Sequence, residues 1–474
     1  MEESSNNEQK IRWIKRISTL ILGISIWHLP IPWDITPDAW HLFAIFITAI
    51  IGVLLEALSI FTASIIALVA VVMLRVLPPE KAFSGFSESF ILLILAAFLV
   101  AKGVIKSGLG RRIAFLLIRR FGKSTLNLGY CLVVTDSILG PSIPSNTARS
   151  GIMYPIAHAL SLDTGSLPTP EGRRRTGTYL MMTYIAGQTI SSALWLTGMA
   201  ANPVGAGIAA KFGVNMNFGT WFFVASVPCL IALIAIPFVL YKLFPPGDKY
   251  TPEAPKMAKK GLQEMGSMSM KEWIMGATFF GMILLWALSP VLNINLAIVA
   301  FLGLSVLILA NVYTLEDIRQ GGGDALETFI WFAILYMMST SLDEMGFMKI
   351  LGAQLASYIS GFNWVTVYIL LTVLYIVIHY LFVSQTAHLL ALYAVFLQVA
   401  VNAGVPAPLM AFMLSFSTNL FAVITPQASS SNVLFVGSGF LPSKEIYRQG
   451  AVVTVLNTVI FLLATPWIMW SSSL

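Results

Sequence analysis

The stretch SNTAR at residues 145–149 is followed 239 positions later by SQTAH at residues 384–388. Each stretch interrupts a strongly apolar segment, where hydroxyl, amide and cationic side chains are costly unless they have partners. The duplication extends further, because ESFI at residues 88–91 recurs as ETFI at residues 327–330, and Gly108 recurs at almost the same offset as Gly346. A duplicated apolar unit with one polar cluster in each copy is typical of secondary transporters.

The composition indicates a membrane protein. The chain is 57% hydrophobic and 11% charged, about half the charge of a soluble domain. Several apolar runs reach the roughly 20 residues that cross a bilayer, whereas the alternating segments of a β-barrel do not dominate. We therefore expect an all-α polytopic membrane protein with the lipid bilayer as its surroundings. The net charge of +6 is attributed to cytoplasmic loops next to spans, so no nucleic-acid partner is expected.

The apolar runs predict about eleven transmembrane helices. They lie near residues 14–33, 39–56, 58–77, 89–107, 176–200, 218–244, 271–290, 293–312, 323–342, 407–433 and 451–471. Two further apolar stretches, 128–160 and 364–400, are each broken in the middle by one of the two polar clusters.

Charge placement predicts the orientation. Basic residues at 10–16 place the N-terminus in the cytoplasm, and counting spans then places the C-terminus outside a cell (inner or plasma) membrane. Arginines flank 128–160 on both sides, which favours a re-entrant hairpin from the cytoplasmic side. No Lys or Arg occurs in 364–400, which favours a hairpin from the outside. The repeat is then inverted. Two ordinary kinked spans remain the alternative.

This pattern divides the chain into five expected units. These are N-terminal scaffold helices at 1–88, a first transport unit at 89–217, scaffold helices at 218–322 with a cytoplasmic linker at 245–271, a second transport unit at 323–450, and a C-terminal helix at 451–474.

The two clusters have the chemistry of anion sites. We call residues 145–147 the first tip and residues 384–386 the second tip. A turn between half-helices presents hydroxyls, an amide and the free N–H groups of the next helix, with its positive dipole end. Two facing tips would suit a solute with a carboxylate at each end. The alternative is that the hydroxyls bond to helical carbonyls and only bend the helix. The candidate substrate-binding residues are Ser145, Asn146, Thr147, Ser384, Gln385 and Thr386.

Further polar residues follow each hairpin. Gly or Pro within a span frees backbone groups for neighbours or ligand, and matching breaks in both halves indicate discontinuous helices at a binding site. A simple kink is the alternative for each segment. The candidates for helix breaks that line the site are Thr197, Gly198, Asn202 and Pro203 in the first half, and Thr425 and Pro426 in the second half are further candidate substrate-binding residues.

Arg149 and His388 occupy the same repeat position, two residues after the threonine of each tip. An Arg remains charged and needs an anion when buried, and a His can titrate near neutral pH. Both are candidate charge-compensating residues. The alternatives are an Arg side chain that reaches the cytoplasmic face and a neutral core histidine.

Enzyme motifs are missing from the sequence. It contains no H-E-x-x-H, Walker A or G-x-S-x-G pattern. We therefore expect no catalytic residue, no cofactor and no bound metal.

The tips and the two break segments resemble the signature elements of the divalent anion/sodium symporter family, over essentially the whole chain. The forms PSNTAR at 144–149 and TAH at 386–388 look more like the exchanger branch, with plastidic 2-oxoglutarate/malate translocators and bacterial dicarboxylate antiporters. The resemblance implies a homodimer in which each protomer has a scaffold domain and a mobile, elevator-type transport domain. It also implies that the tips contact substrate carboxylates.

One departure bears on the coupling ion. The second tip has Gln385 where sodium-coupled members have Asn. The resemblance therefore implies sodium-independent exchange of C4 and C5 dicarboxylates such as malate, succinate, fumarate or 2-oxoglutarate, with Arg149 and His388 in the place of sodium. Sodium-coupled uptake of a dicarboxylate or citrate, a channel and a membrane-embedded enzyme are the alternatives.

Overall fold

The computed structural model describes residues 2–359 and 361–473, with side chains from residue 9 onward. This part of the chain is helical, with a single isolated β-bridge between Ser124 and Tyr250. The α-helices in chain order are α1 Glu2–His28, α2 Pro37–Leu54, α3 Ile60–Met73, α4 Pro79–Ala82, α5 Ser89–Ser107, α6 Leu109–Phe121, α7 Thr125–Leu139, α8 Asn146–Asp163, α9 Gly177–Leu194, α10 Ala201–Ala210, α11 Phe218–Leu243, α12 Ala254–Met265, α13 Met270–Ala287, α14 Ser289–Leu292, α15 Leu296–Leu309, α16 Leu315–Gly321, α17 Gly323–Glu344, α18 Phe347–Tyr358, α19 Trp364–Ile378, α20 Gln385–Asn402, α21 Ala407–Leu420, α22 Asn432–Val436, α23 Ser443–Leu463 and α24 Thr465–Ser472.

The prediction of an all-helical chain with several apolar helices long enough to cross a membrane is confirmed. Each predicted span overlaps a helix, and within the described residues seven helices are long and apolar enough to cross a membrane. Three shorter apolar helices are α3, α15 and a segment at 407–423. The exact number of eleven spans, the domain boundaries and the orientation of the termini stay predictions.

The structure also contains helices that the hydropathy pattern did not reveal. α6, α12 and α18 lie outside every predicted span. α6 and α18 each begin directly after a glycine in the left-handed conformation, with φ of 80° at Gly108 and 79° at Gly346. This conformation is open to glycine and strained for most other residues. The repeated glycine therefore marks the same sharp turn in both halves of the chain.

Both broken stretches fold as a helix, a short break and a second helix. In the first, α7 continues into a 3₁₀ turn and an extended segment, and Ser145 caps α8 by accepting a hydrogen bond from the Ala148 N–H. In the second, α19 continues into a 3₁₀ turn, and Ser384 caps α20 through the Ala387 N–H in the same way. A serine at the N-cap stabilises a helix start. Because α19, extended to Leu381, and α20 are each long enough to span a bilayer, the re-entrant depth stays a prediction.

Gly450 holds α23 directly against the break after α21. A Cβ atom at this position would lie 1.9 Å from the Val423 carbonyl oxygen, a contact that neither backbone can relieve cheaply. We expect Gly450→Ala to lower the free energy of unfolding by about 1–3 kcal/mol or more, as overpacking does. Thermal unfolding in detergent would measure it. Gly281→Ala is the matched control, because nothing lies within 4 Å of its Cβ position, and an unchanged Gly450→Ala protein would contradict this packing.

Candidate functional site

The two tips meet at one cavity. Its volume is about 520 Å³, and Nδ2 of Asn146 donates a hydrogen bond to Oε1 of Gln385 at 3.2 Å. The hydroxyls of Thr147 and Ser430 lie 2.8 Å apart. The residues that line the cavity are Phe98, Pro144, Ser145, Asn146, Thr147, Met199, Ala200, Asp324, Glu327, Thr328, Trp331, Phe332, Val383, Ser384, Gln385, Thr386, Ser429 and Ser430. All six candidate tip residues are therefore brought together.

Two helix N-termini contribute positive potential to this cavity. α8 begins at Asn146 and α20 begins at Gln385, and both residues line the cavity. The first N–H groups of a helix have no partner within the helix, and the aligned peptide dipoles place roughly half a positive charge at each start. Each helix N-terminus, one in each half of the chain, can therefore bind one anionic group of a solute.

Arg149 lies behind the first tip and does not line the cavity. Its side chain is fully buried, and Nη1 lies 3.1 Å from Oδ2 of Asp136. Tyr184 donates to the other oxygen of that carboxylate at 3.0 Å, and Ser191 also donates to the carboxylate. The anion that a buried arginine needs is therefore supplied inside the protein, by Asp136.

The same guanidinium connects the first tip to the break after α9. It donates to Oδ1 of Asn146 at 2.7 Å and to the Gly198 carbonyl at 3.0 Å. It also donates to the hydroxyls of Ser191 and Ser192. The Arg149 guanidinium thus binds oxygens of the first tip and of the break after α9, the two segments that border the cavity.

His388 is also buried away from the cavity. Its Nδ1 lies 3.2 Å from Nδ1 of His379, and Nε2 of His379 lies 3.0 Å from the Ala428 carbonyl. A carbonyl can only accept, so His379 carries its proton on Nε2 and His388 donates from Nδ1. The two rings therefore tie the second tip to the loop that carries Ser429 and Ser430.

The predicted first-half break residues support the cavity from behind. Thr197 donates to the Pro141 carbonyl at 2.8 Å, and Nδ2 of Asn202 donates to the Ser192 and Trp195 carbonyls at 2.9 and 3.0 Å. A Cβ on Gly198 would lie 2.8 Å from the Ser192 carbonyl oxygen, and Pro203 is buried. These contacts fix the break, but Met199 and Ala200 are the residues of this segment that line the cavity.

The second-half break differs from the expectation in a similar way. Thr425 is buried, and its hydroxyl has no hydrogen-bond partner among the described residues. Pro426 is half-buried. Neither residue lines the cavity, which instead receives Ser429 and Ser430 from the loop that follows.

Sequence reasoning missed the wall formed by α17. Asp324, Glu327, Thr328 and Trp331 line the cavity, and Asp324 is paired with Lys102 at 2.9 Å. The sequence predicted a span at 323–342, but the repeated ETFI motif at 327–330 was the one signal of a special role for its polar side chains. Its side chains could be placed at the cavity only after the packing of α17 was known.

Solved structures share this fold at low sequence identity. The chain aligns with MtrF of Neisseria gonorrhoeae, described as one of a class of antimetabolite efflux pumps, with a TM-score of 0.54 and 14% identity over 86% of this chain and 84% of that one. It aligns with the YdaH transporter of Alcanivorax borkumensis with a TM-score of 0.53 and 14% identity over 82% and 88%. At this identity the likeness concerns the fold alone.

Sequence relatives cover nearly the whole chain. A putative malate transporter, YflS, of Bacillus subtilis is 39% identical over 97% of this chain and 97% of its own length. Dicarboxylate transporter 2 of spinach chloroplasts is 36% identical over 94% and 81%. An L-tartrate/succinate antiporter of Escherichia coli is 30% identical over 97% and 98%.

A family model supports the resemblance that the tip sequences indicated. The model of the sodium:sulfate symporter transmembrane region matches residues 10–473. The chain therefore belongs to this family, that of the divalent anion/sodium symporters.

Proposed function

We propose that the protein is a secondary active transporter that exchanges C4 and C5 dicarboxylates, such as malate, succinate, fumarate and 2-oxoglutarate, without sodium. The observation that carries the proposal is the convergence of two capped helix N-termini on one cavity. A linear dicarboxylate has one carboxylate for each of them. The relatives named as a malate transporter, a dicarboxylate transporter and an L-tartrate/succinate antiporter support this solute class.

Arg149 supports the absence of sodium coupling. Its guanidinium already binds oxygens of the tip, of α9 and of the following break, which are the kind of ligands that a hard cation requires. Asp136 balances the charge. The first half of the site therefore has a permanent cation, and the tip does not need a sodium ion to keep its shape.

Obligate exchange is proposed to follow from the cost of moving the empty site. Arg149 is paired with Asp136, so its charge does not account for this cost. The cost is explained by the first N–H groups of α8 and α20, which have no partner within their helices. Removing their water without a carboxylate in place leaves buried polar groups without hydrogen bonds. A loaded cavity satisfies them and can move across the bilayer.

The proposed transport mechanism follows what the family resemblance implies. We propose an elevator motion of a domain that contains both hairpins, in a homodimer with its N-terminus in the cytoplasm and its C-terminus outside. We propose no catalytic role for any residue. Gln385 and the other five tip residues contact the solute, while Arg149, His388 and the break residues position them.

Proteoliposomes test the proposal. Vesicles preloaded with succinate should take up labelled succinate rapidly, whereas empty vesicles should take up little, and replacing sodium with potassium should change neither rate. Fast uptake into empty vesicles that depends on a sodium gradient would contradict the proposal. It would favour the alternative of sodium-coupled symport, which the family description itself names.

A further inference from the structure

The orientations of the two side-chain amides where the tips touch are fixed by two neighbouring groups. One of these groups can only donate a hydrogen bond, and the other can only accept one. A guanidinium can only donate, so Asn146 turns Oδ1 toward Arg149 at 2.7 Å, and Ser192 also donates to this oxygen at 2.9 Å. A backbone carbonyl can only accept, so Gln385 turns Nε2 toward the Thr418 carbonyl at 2.8 Å. Nδ2 of Asn146 and Oε1 of Gln385 therefore face each other.

The two tips consequently offer opposite groups to the solute. Asn146 retains a second N–H that can donate to a carboxylate. Gln385 offers Oε1, for which Asn146 is the one donor found in the described part of the chain, and an amide oxygen has two lone pairs. An ionised carboxylate has no hydrogen to give to this oxygen. A hydroxyl group does.

We propose that Gln385 makes the site selective for dicarboxylates that carry a hydroxyl next to a carboxylate, such as malate, over succinate and 2-oxoglutarate. The inference rests on the proposed exchange of dicarboxylates. A carboxylate bound at the start of α20 brings the neighbouring carbon close to Gln385, the first residue of that helix. The hydroxyl of malate donates to Oε1 there. Succinate has no group at this place, and the ketone oxygen of 2-oxoglutarate is a second acceptor.

Half-saturating external concentrations at pH 8, where both carboxylates of each solute are ionised, test this selectivity in preloaded proteoliposomes. One net hydrogen bond corresponds to about a three- to tenfold difference in affinity. The half-saturating concentration of malate should therefore be lower than that of succinate by this factor. Gln385→Met has a similar length, and its thioether sulfur is only a weak acceptor. It should remove the difference, chiefly by weakening malate. Gln320→Met, the same change at an exposed residue of α16, should leave both values unchanged.

A probe on the unaltered protein guards against a variant that does not fold. 2-Methoxysuccinate keeps the oxygen of malate but has lost the donated hydrogen, so it should bind no better than succinate. Equal or tighter binding of succinate or 2-oxoglutarate to the unaltered protein would overturn the inference, and so would a malate preference that survives Gln385→Met. These outcomes leave dicarboxylate exchange intact, whereas exchange of none of these solutes would overturn the proposed function as well.

Discussion

Asn146→Asp is expected to reduce the apparent affinity for dicarboxylates by about 100- to 1000-fold. The change is nearly isosteric, and Oδ1 can still accept from Arg149 and Ser192. The donor to Gln385 is lost, however, and a negative charge is added at the start of α8. Two like charges 4 Å apart repel by about 4 kcal/mol at an effective dielectric constant of 20, and the nearby guanidinium offsets part of this.

Counterflow of labelled succinate measures the effect. Asn402→Asp is the matched control, because Asn402 lies exposed at the far end of α20, where its oxygen accepts from Gln398 at 2.9 Å and an Asp oxygen can do the same. We expect this control to stay within about twofold of the unaltered protein, since its charge is screened by solvent. Equal activity of the two variants would remove Asn146 from the solute site.

Arg149→Met is expected to abolish exchange and to destabilise the protein by about 3–5 kcal/mol, the cost of leaving one partner of a buried ion pair alone. The fully buried Asp136 carboxylate would lose its counter-charge. The first tip would also lose its connection to the Gly198 carbonyl. Melting temperature in detergent and counterflow in proteoliposomes measure the two effects.

A second variant separates stability from transport. Adding Asp136→Asn to Arg149→Met removes the uncompensated carboxylate, so part of the melting temperature should return. Exchange should stay absent, because Asn146 still lacks its hydrogen bond from Arg149. Arg319→Met is the control for loss of an arginine, since that side chain is exposed and its contact with Glu316 is long, at 3.7 Å. Full exchange by Arg149→Met would show that the resident cation is dispensable.

The repeated sequence was enough to anticipate which segments approach each other. The recurrence of SNTAR as SQTAH predicted two equivalent tips, and the structure places Asn146 and Gln385 in contact. The equivalent serine caps and the left-handed glycines at 108 and 346 follow the same logic, because local backbone geometry depends on local sequence. Long apolar spans were recognisable for the same reason.

The partners of the buried polar groups could not be predicted in this way. Asp136 and His379 lie on the arm of each broken stretch that precedes the tip, whereas Arg149 and His388 lie on the arm that follows it. Nothing in the sequence states which side chain a buried cation will meet, because this depends on how the two arms pack. Arg149, a candidate charge-compensating residue by its repeat position, therefore forms an internal ion pair that the sequence did not predict.

A cysteine pair across the two halves tests most directly whether the first tip and the second half of the chain meet at a single solute site. Thr147 and Ser430 line the cavity from different halves, and their hydroxyls are 2.8 Å apart. The native cysteines, Cys131 and Cys229, are buried. Under mild oxidation the variant Thr147→Cys, Ser430→Cys should form a disulfide, identified as a linked peptide pair by mass spectrometry, and succinate or malate should slow its formation. Absence of the link, or a rate of formation that neither solute changes, would contradict a dicarboxylate site shared by the two halves of the chain.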